Sequence, residues 1–177
     1  MKKKELLPLI LRYTLIIILG LNNAWIFYFV LTPLTVYSSA WILGLIYQEV
    51  AIVGGNTIVF NGIYAGIVGA CIAGSAYYLL TILNLSTQMK LNKRIKNLAF
   101  LFLAFFIINV IRIVGFAMLY YSGFGYFDLA HDLTWYVGST IIVVLIWFIG
   151  VKIFAIKEIP LYSDVRKILK KEKKKKI

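Results

Sequence analysis

Residues 97–121 read NLAFLFLAFFIINVIRIVGFAMLYY, an apolar run in which Arg112 is the one charged side chain. A helix needs about 20 apolar residues to cross a bilayer, so this run predicts a transmembrane helix. Arg112 precedes Tyr121 by nine residues, which is about 13 Å along a helix. A charge that deep in a bilayer is unfavourable by roughly 2.5–3.5 kcal/mol. Arg112 is therefore predicted to face the interior of a helix bundle and to serve a site.

The composition of the whole chain indicates a membrane protein. Of its 177 residues, 62% are hydrophobic, and the mean hydropathy is +0.88, which is more apolar side chain than one soluble domain of this length can bury. The net charge is +12, but the basic residues stand in blocks between apolar runs. Such blocks are typical of the ends of membrane helices, so no nucleic-acid partner is predicted. A single cysteine excludes an internal disulfide and a CxxC metal or redox motif, and neither a metal nor another cofactor is predicted.

The apolar runs predict an all-α membrane protein, with residues 1–156 as one integral membrane domain. The four predicted spans are residues 6–30, 71–89, 97–121 and 134–154. Thr32-Pro33-Leu34-Thr35 is predicted to end the first span, because proline breaks helical continuity. Residues 36–50 are apolar but shorter than a span, and they favour an interfacial or re-entrant helix.

A short β-hairpin is predicted between the first two spans. Residues 56–60 and 63–68 read as two strands around the turn Asn61-Gly62. An open hairpin cannot lie in hydrocarbon, because its edge N–H and C=O groups would be unpaired. The hairpin is therefore expected on the outer side of the membrane or under a cover of protein.

Basic residues mark one side of the predicted membrane. Four lie at the N-terminal end, four in the loop 90–96 and ten from Lys152 onward, whereas the connections 31–70 and 122–131 carry none. Lysine and arginine are enriched on the cytoplasmic side. Both termini and the 90–96 loop are therefore predicted to be cytoplasmic, with residues 157–177 as a basic tail. The hairpin and the 122–131 loop then face outward from a multi-pass protein of the plasma membrane.

The same topology brings the only cysteine near the outer face. Cys71 begins the second predicted span, where the partial positive charge of a helix N-terminus favours the nucleophilic thiolate. Arg112 lies beneath it, and Asn109, on the same helix face as Arg112, is expected to hold the guanidinium. The alternatives are a small buried cysteine in a helix contact and an arginine that reaches the outer headgroups.

The only histidine, His131, precedes the fourth predicted span, also on the outer side. Asp128 and Asp132 are close enough in sequence to orient its ring. A thiol, an imidazole and a guanidinium are the parts that acyl transfer requires: a nucleophile, a base and a group that stabilises the oxyanion. The alternative for His131 is an interfacial polar residue without a role.

These residues give the chain a resemblance to the exosortase/archaeosortase family of membrane transpeptidases. The similarity covers most of the chain from Thr32 to the last span. It is carried by Thr-Pro-Leu-Thr at 32–35, the hairpin ahead of the cysteine, Ala70-Cys71 at a helix start, Asn109-x-x-Arg112-Ile113, and His131 before the final helix.

The resemblance implies a catalytic set of Cys71, Arg112 and His131. The implied activity is that of a protease and transpeptidase, a hydrolase or acyltransferase working on the outer face. Its substrate would be a secreted protein whose C-terminal sorting signal has a motif, an apolar helix and a basic end. Cys71 would form a thioester and transfer the new C-terminus to a lipid or other amine acceptor. The alternative is a non-catalytic assembly or transport subunit that uses Arg112 to bind an anionic group.

Overall fold

The protein is described by a computed structural model that covers residues 3–162 and 164. In chain order the elements are α1 (Lys3–Ile46), β1 (Ala51–Val53), β2 (Thr57–Phe60), β3 (Ile63–Gly66), α2 (Gly69–Ile72), α3 (Gly74–Ser86), α4 (Leu91–Tyr121), α5 (Phe127–Leu133), a π-helical turn (Thr134–Gly138) and α6 (Ser139–Ile153). Most of the predicted basic tail, from residue 165 to residue 177, lies outside the described residues.

Within that part of the chain, four helical stretches are long and apolar enough to cross a membrane. They are Leu7–Ile46, Gly69–Ser86, Leu91–Tyr121 and Phe127–Ile153. The predicted number of long apolar helices is confirmed, but their bounds differ from those predicted. The last stretch begins at Phe127, seven residues before the predicted start, so the loop ahead of it is shorter than predicted.

The first helix breaks at a different place from the one predicted. Helical backbone continues through Pro33 to Ile46. The predicted end at the proline is therefore wrong, and residues 36–50 form no separate interfacial helix. The backbone leaves helical geometry at residues 21–24, where three residues have φ of 52° to 57°. Two of these three are asparagines, which tolerate the left-handed region better than most residues.

The predicted hairpin is present as β2 and β3, which pair in antiparallel register. Asn61 and Gly62 form the turn with φ of 45° and 79°, as a type I′ turn requires. A third strand, β1, was not predicted from the sequence, and in the described part of the chain the sheet has the order β1-β2-β3. Ile58 and Phe60 of β2 are fully buried in the core, so protein covers one face of the sheet.

Basic side chains gather at the end of the bundle where α4 begins. Arg12 of α1 donates to two carbonyls at the C-terminal end of α3, those of Leu85 and Thr87, and pairs with Asp164 at 2.9 Å. Buried Arg94 of α4 donates to two carbonyls in the same region. These cations satisfy carbonyls that a helix C-terminus leaves unpaired, and they complement its partial negative charge. The sheet lies at the opposite end, where Phe60 and Tyr121 are in ring contact.

Small residues let the helices approach one another closely. A Cβ atom added to Gly150 of α6 would lie 2.7 Å from the Oδ1 atom of Asn97 on α4. A Cβ atom on Gly74 of α3 would lie 2.8 Å from the ring of Tyr28 on α1. Close backbone approach of this kind is typical of helix contacts in membrane proteins.

We expect Gly150→Ala to destabilise the protein by about 1–3 kcal/mol, because the added methyl group overpacks the contact between α4 and α6. The measurement is thermal unfolding of the purified protein in detergent. Gly44→Ala is the matched control, since a Cβ atom at Gly44 meets nothing within 4 Å. That substitution should stabilise α1 by about 0.5–1 kcal/mol. Equal unfolding temperatures for the two variants would contradict the proposed close contact.

Candidate active site

A cavity of about 350 Å³ lies at the sheet end of the bundle. Cys71 of α2, Arg112 of α4 and His131 of α5 all line it. The remaining lining is apolar or aromatic: Leu43, Ile58, Ile63, Tyr64, Ala65, Gly66, Ile67, Ile113, Phe116, Ala117, Tyr120 and Phe127. Three side chains from distant parts of the sequence thus share one apolar cavity.

Cys71 lies well below the end of the bundle. The side chains of Asn109 and Arg112 reach the backbone of α2, so Cys71 is level with the stretch of α4 between them. That stretch is nine to twelve residues from Tyr121, or about 13–18 Å along the helix. The thiol is therefore at the depth of the half-buried Arg112 rather than at the end of the bundle.

The backbone around Cys71 is held by α4. Ala73 has φ of 55°, and this left-handed residue separates α2 from α3. The side-chain amide of Asn109 donates to the carbonyl of Cys71 at 2.8 Å. The guanidinium of Arg112 donates to the carbonyl of Ala70 at 3.5 Å. The two polar residues of α4 therefore satisfy carbonyls next to a break in the helical ladder, where backbone groups need outside partners.

Two expectations about Cys71 and Asn109 are corrected by these contacts. Asn109 holds the cysteine backbone and not the guanidinium of Arg112. Its Oδ1 atom is buried and has no hydrogen-bond partner among the described residues. The helix that starts before Cys71 is a single turn, and the N–H of Cys71 donates to the carbonyl of Val68. A dipole interrupted after one turn adds less positive charge at the thiol than the predicted continuous helix would.

Arg112 is oriented by α6 as well as by α2. Its guanidinium donates to the hydroxyl oxygen of Ser139 at 2.9 Å. Ser139 in turn donates to the carbonyl of Thr134, at the start of the π-helical turn. Such turns are often found at functional sites.

His131 is fixed by aromatic contacts. Its ring stacks on Phe127 at 5.7 Å and meets Phe116 edge-on at 5.3 Å. Its Nδ1 atom lies 3.8 Å from a carboxylate oxygen of Asp132, which is too far for a hydrogen bond. Asp128 is exposed and makes neither a hydrogen bond nor an ion pair within the described residues. Asp128 therefore does not hold the ring, whereas Asp132 lies within ion-pair distance of it without a hydrogen bond.

Sequence reasoning missed Ser139, β1 and the part that β3 plays in the cavity wall. An isolated serine in an apolar helix is an ordinary polar helix contact, so Ser139 carried no signal.

A second cavity, of about 450 Å³, lies on the other side of α2. Ala70 and Ser139, the two hydrogen-bond partners of Arg112, both line it. Arg112 thus reaches the wall between the two cavities.

Comparison with known proteins identifies no relative: no family model, curated protein or solved structure matches this chain. Among the described residues, no group of three or more His, Cys, Asp or Glu side chains could hold a metal ion. The expectation that the site works without a metal stays a prediction.

We expect Asn109→Leu to loosen the cysteine backbone, because it leaves a carbonyl without its donor, at a cost of about 1–3 kcal/mol. The variant should unfold at a lower temperature, and its single cysteine should react with N-ethylmaleimide at a rate several-fold different from the parent. Asn92→Leu, at the exposed start of the same helix, is the matched control. Identical rates for all three proteins would mean that Asn109 does not position Cys71.

Proposed function

We propose that this protein is a multi-pass membrane protein of the plasma membrane, with both termini in the cytoplasm. Large apolar side chains cover the outer faces of its long helices, including Leu103, Ile107 and Phe148. Soluble monomers rarely expose apolar patches of this extent. Basic residues are enriched on the cytoplasmic side of membrane proteins, so the end of the bundle with Arg12 and Arg94 would be cytoplasmic. The cavity, at the opposite end, would then face outward.

We propose further that the protein is a cysteine transpeptidase. The observation that carries this proposal is the shared cavity of Cys71, Arg112 and His131. A thiol needs a base to become a strong nucleophile, and a fixed guanidinium in an apolar cavity can stabilise the charge that develops on a carbonyl oxygen. This set of side chains is also the one that the resemblance to exosortases implies.

The proposed reaction has two halves. His131 takes the proton of Cys71, and the sulfur attacks the carbonyl carbon of the scissile peptide bond. Arg112 stabilises the resulting oxyanion until the C–N bond breaks, and His131 returns the proton to the leaving amine. An acceptor amine, on a lipid or another molecule, then attacks the Cys71 thioester. His131 takes the proton of that amine as the sulfur leaves, and a new amide bond forms.

The proposed substrate is a secreted protein that ends in a short motif, an apolar helix and basic residues. Such a helix would lie in the membrane beside the bundle with its basic end on the cytoplasmic side. The motif ahead of the helix would then reach the cavity from the outside. Binding at the depth of Cys71 removes the carbonyl from bulk water, which strengthens the electrostatic effect of Arg112.

We expect Cys71→Ala to abolish C-terminal cleavage of a co-expressed secreted protein of this kind from the same genome. The measurement is the mass of the secreted product, and hydroxylamine should release a C-terminal hydroxamate with the parent protein only, because it attacks a thioester. Ser122→Ala, in the turn that follows α4, is the control and should cleave normally. A result in which Arg112→Ala abolishes function while Cys71→Ala has no effect would favour the non-catalytic subunit instead.

Sidedness can be checked with the single cysteine. In intact cells, a small membrane-impermeant methanethiosulfonate reagent should label Cys71 through the outer opening of the cavity, and Cys71→Ala should abolish that signal. The measurement is mass spectrometry of the purified protein. Labelling that requires lysed cells or inverted vesicles would place the cavity on the cytoplasmic side and contradict the proposed topology.

A further inference from the structure

One edge of the small sheet forms a wall of the cavity that holds Cys71. In the described part of the chain, β3 has one strand neighbour, β2, and so it is an edge strand. All residues from Ile63 to Ile67 line the cavity. The strand leads directly into α2, and Gly66 precedes Cys71 by five residues.

The hairpin register identifies the backbone groups that remain unpaired on this edge. A two-residue turn makes the two residues that flank it a hydrogen-bonded pair, and bonded and non-bonded pairs alternate from there. The N–H of Ile67 donates to the carbonyl of Asn56 at 2.8 Å, which agrees with this alternation. Tyr64 and Gly66 therefore direct their N–H and C=O groups away from β2. Within the described residues none of these four groups has a hydrogen-bond partner.

The rest of the cavity wall is mostly apolar or aromatic, apart from Cys71, Arg112 and His131. Other cavity walls, from α4 and α5, carry Ile113, Phe116, Tyr120 and Phe127. Tyr64 and Gly66 are exposed, so an incoming chain can reach their backbone groups, and an exposed strand edge is a template for pairing. An extended polypeptide satisfies such an edge best, since it offers donors and acceptors at the spacing of a strand.

The direction of β3 fits the path of the proposed substrate. Asn61, in the turn ahead of β3, donates to the hydroxyl of Tyr121 at the end of α4. From there β3 descends to Cys71. The proposed substrate has its folded part outside and its apolar helix in the membrane. Its chain therefore also runs inward from the N-terminal to the C-terminal end. The substrate and β3 would therefore run in the same direction.

We propose that the substrate segment just ahead of the scissile bond adds to β3 as a parallel strand. Tyr64 and Gly66 would bind its backbone, and the strand would deliver the next carbonyl to the sulfur of Cys71. This inference rests on the proposed transpeptidase function and adds the way in which the substrate is held. Main-chain pairing of this kind gives affinity, while pockets for alternate side chains give selectivity.

The test measures binding without cleavage, in the full-length Cys71→Ala protein. The probe is a fluorescent synthetic peptide with the sequence that precedes the apolar helix of the secreted protein used in the cleavage assay. Gly66→Pro removes the free N–H and none of the bonds to β2, and proline is tolerated on edge strands. Gly66→Ala keeps the N–H, and its Cβ atom meets nothing within 4 Å. We expect the peptide to bind Gly66→Ala at least about tenfold more tightly than Gly66→Pro.

A second measurement leaves the protein chain unchanged and so avoids any effect on folding. Two versions of the peptide carry N-methyl groups on alternate residues, the first on the odd-numbered residues and the second on the even-numbered residues. Strand addition predicts that one of the two peptides binds at least about tenfold more weakly than the other, because only alternate N–H groups face the partner strand.

The outcomes separate the two proposals. Equal binding to the two Gly66 variants, equal binding of the two methylated peptides, or no binding of the parent peptide would each overturn strand addition. None of these results depends on cleavage. Normal cleavage by Cys71→Ala would overturn the transpeptidase proposal, whatever the binding pattern.

Discussion

The arrangement around Cys71 depends on two hydrogen bonds from one helix to the backbone of another. The left-handed residue Ala73 interrupts the helical ladder, and α4 supplies Asn109 and Arg112 to the carbonyls beside the break. A break of this kind inside an apolar bundle would otherwise leave polar backbone groups unpaired. The same contacts set the depth and direction of the cysteine, so the hydrogen bonds that the interrupted backbone needs also position the thiol.

Arg112 can bond two helices at once, because its guanidinium has several donors in a fixed plane. One nitrogen reaches Ser139 on α6 and another reaches Ala70 on α2, so the charge is held between elements that are distant in sequence. A lysine ammonium would present a point charge without this geometry. Fixed placement matters for the proposed chemistry, because a charge that is already oriented stabilises an oxyanion without reorganising during the reaction.

The two ends of the bundle differ in character. Arg12 and Arg94 close the C-terminal end of α3 at one end, while the other end holds the sheet, the aromatic contacts of His131 and the cavity. The cavity has one wall with unpaired backbone groups and another with apolar side chains. Under the proposed function, the first wall would bind the backbone that every polypeptide shares, and the second would select side chains.

The length of the apolar runs was enough to predict four long helices, and the turn Asn61-Gly62 was enough to predict the hairpin. Each of these predictions rests on the local sequence, because hydropathy and turn residues can be recognised within a short stretch of the chain. Three features were not predicted: the break in α1, the third strand and the interruption at Ala73. Each is stabilised by contacts with neighbouring elements, which the local sequence does not reveal. Likewise Cys71, Arg112 and His131 stood out as single residues of their kind, but Ser139 and the free edge of β3 have no local signature. Their placement depends on which elements pack side by side, and packing is a property of the folded chain as a whole.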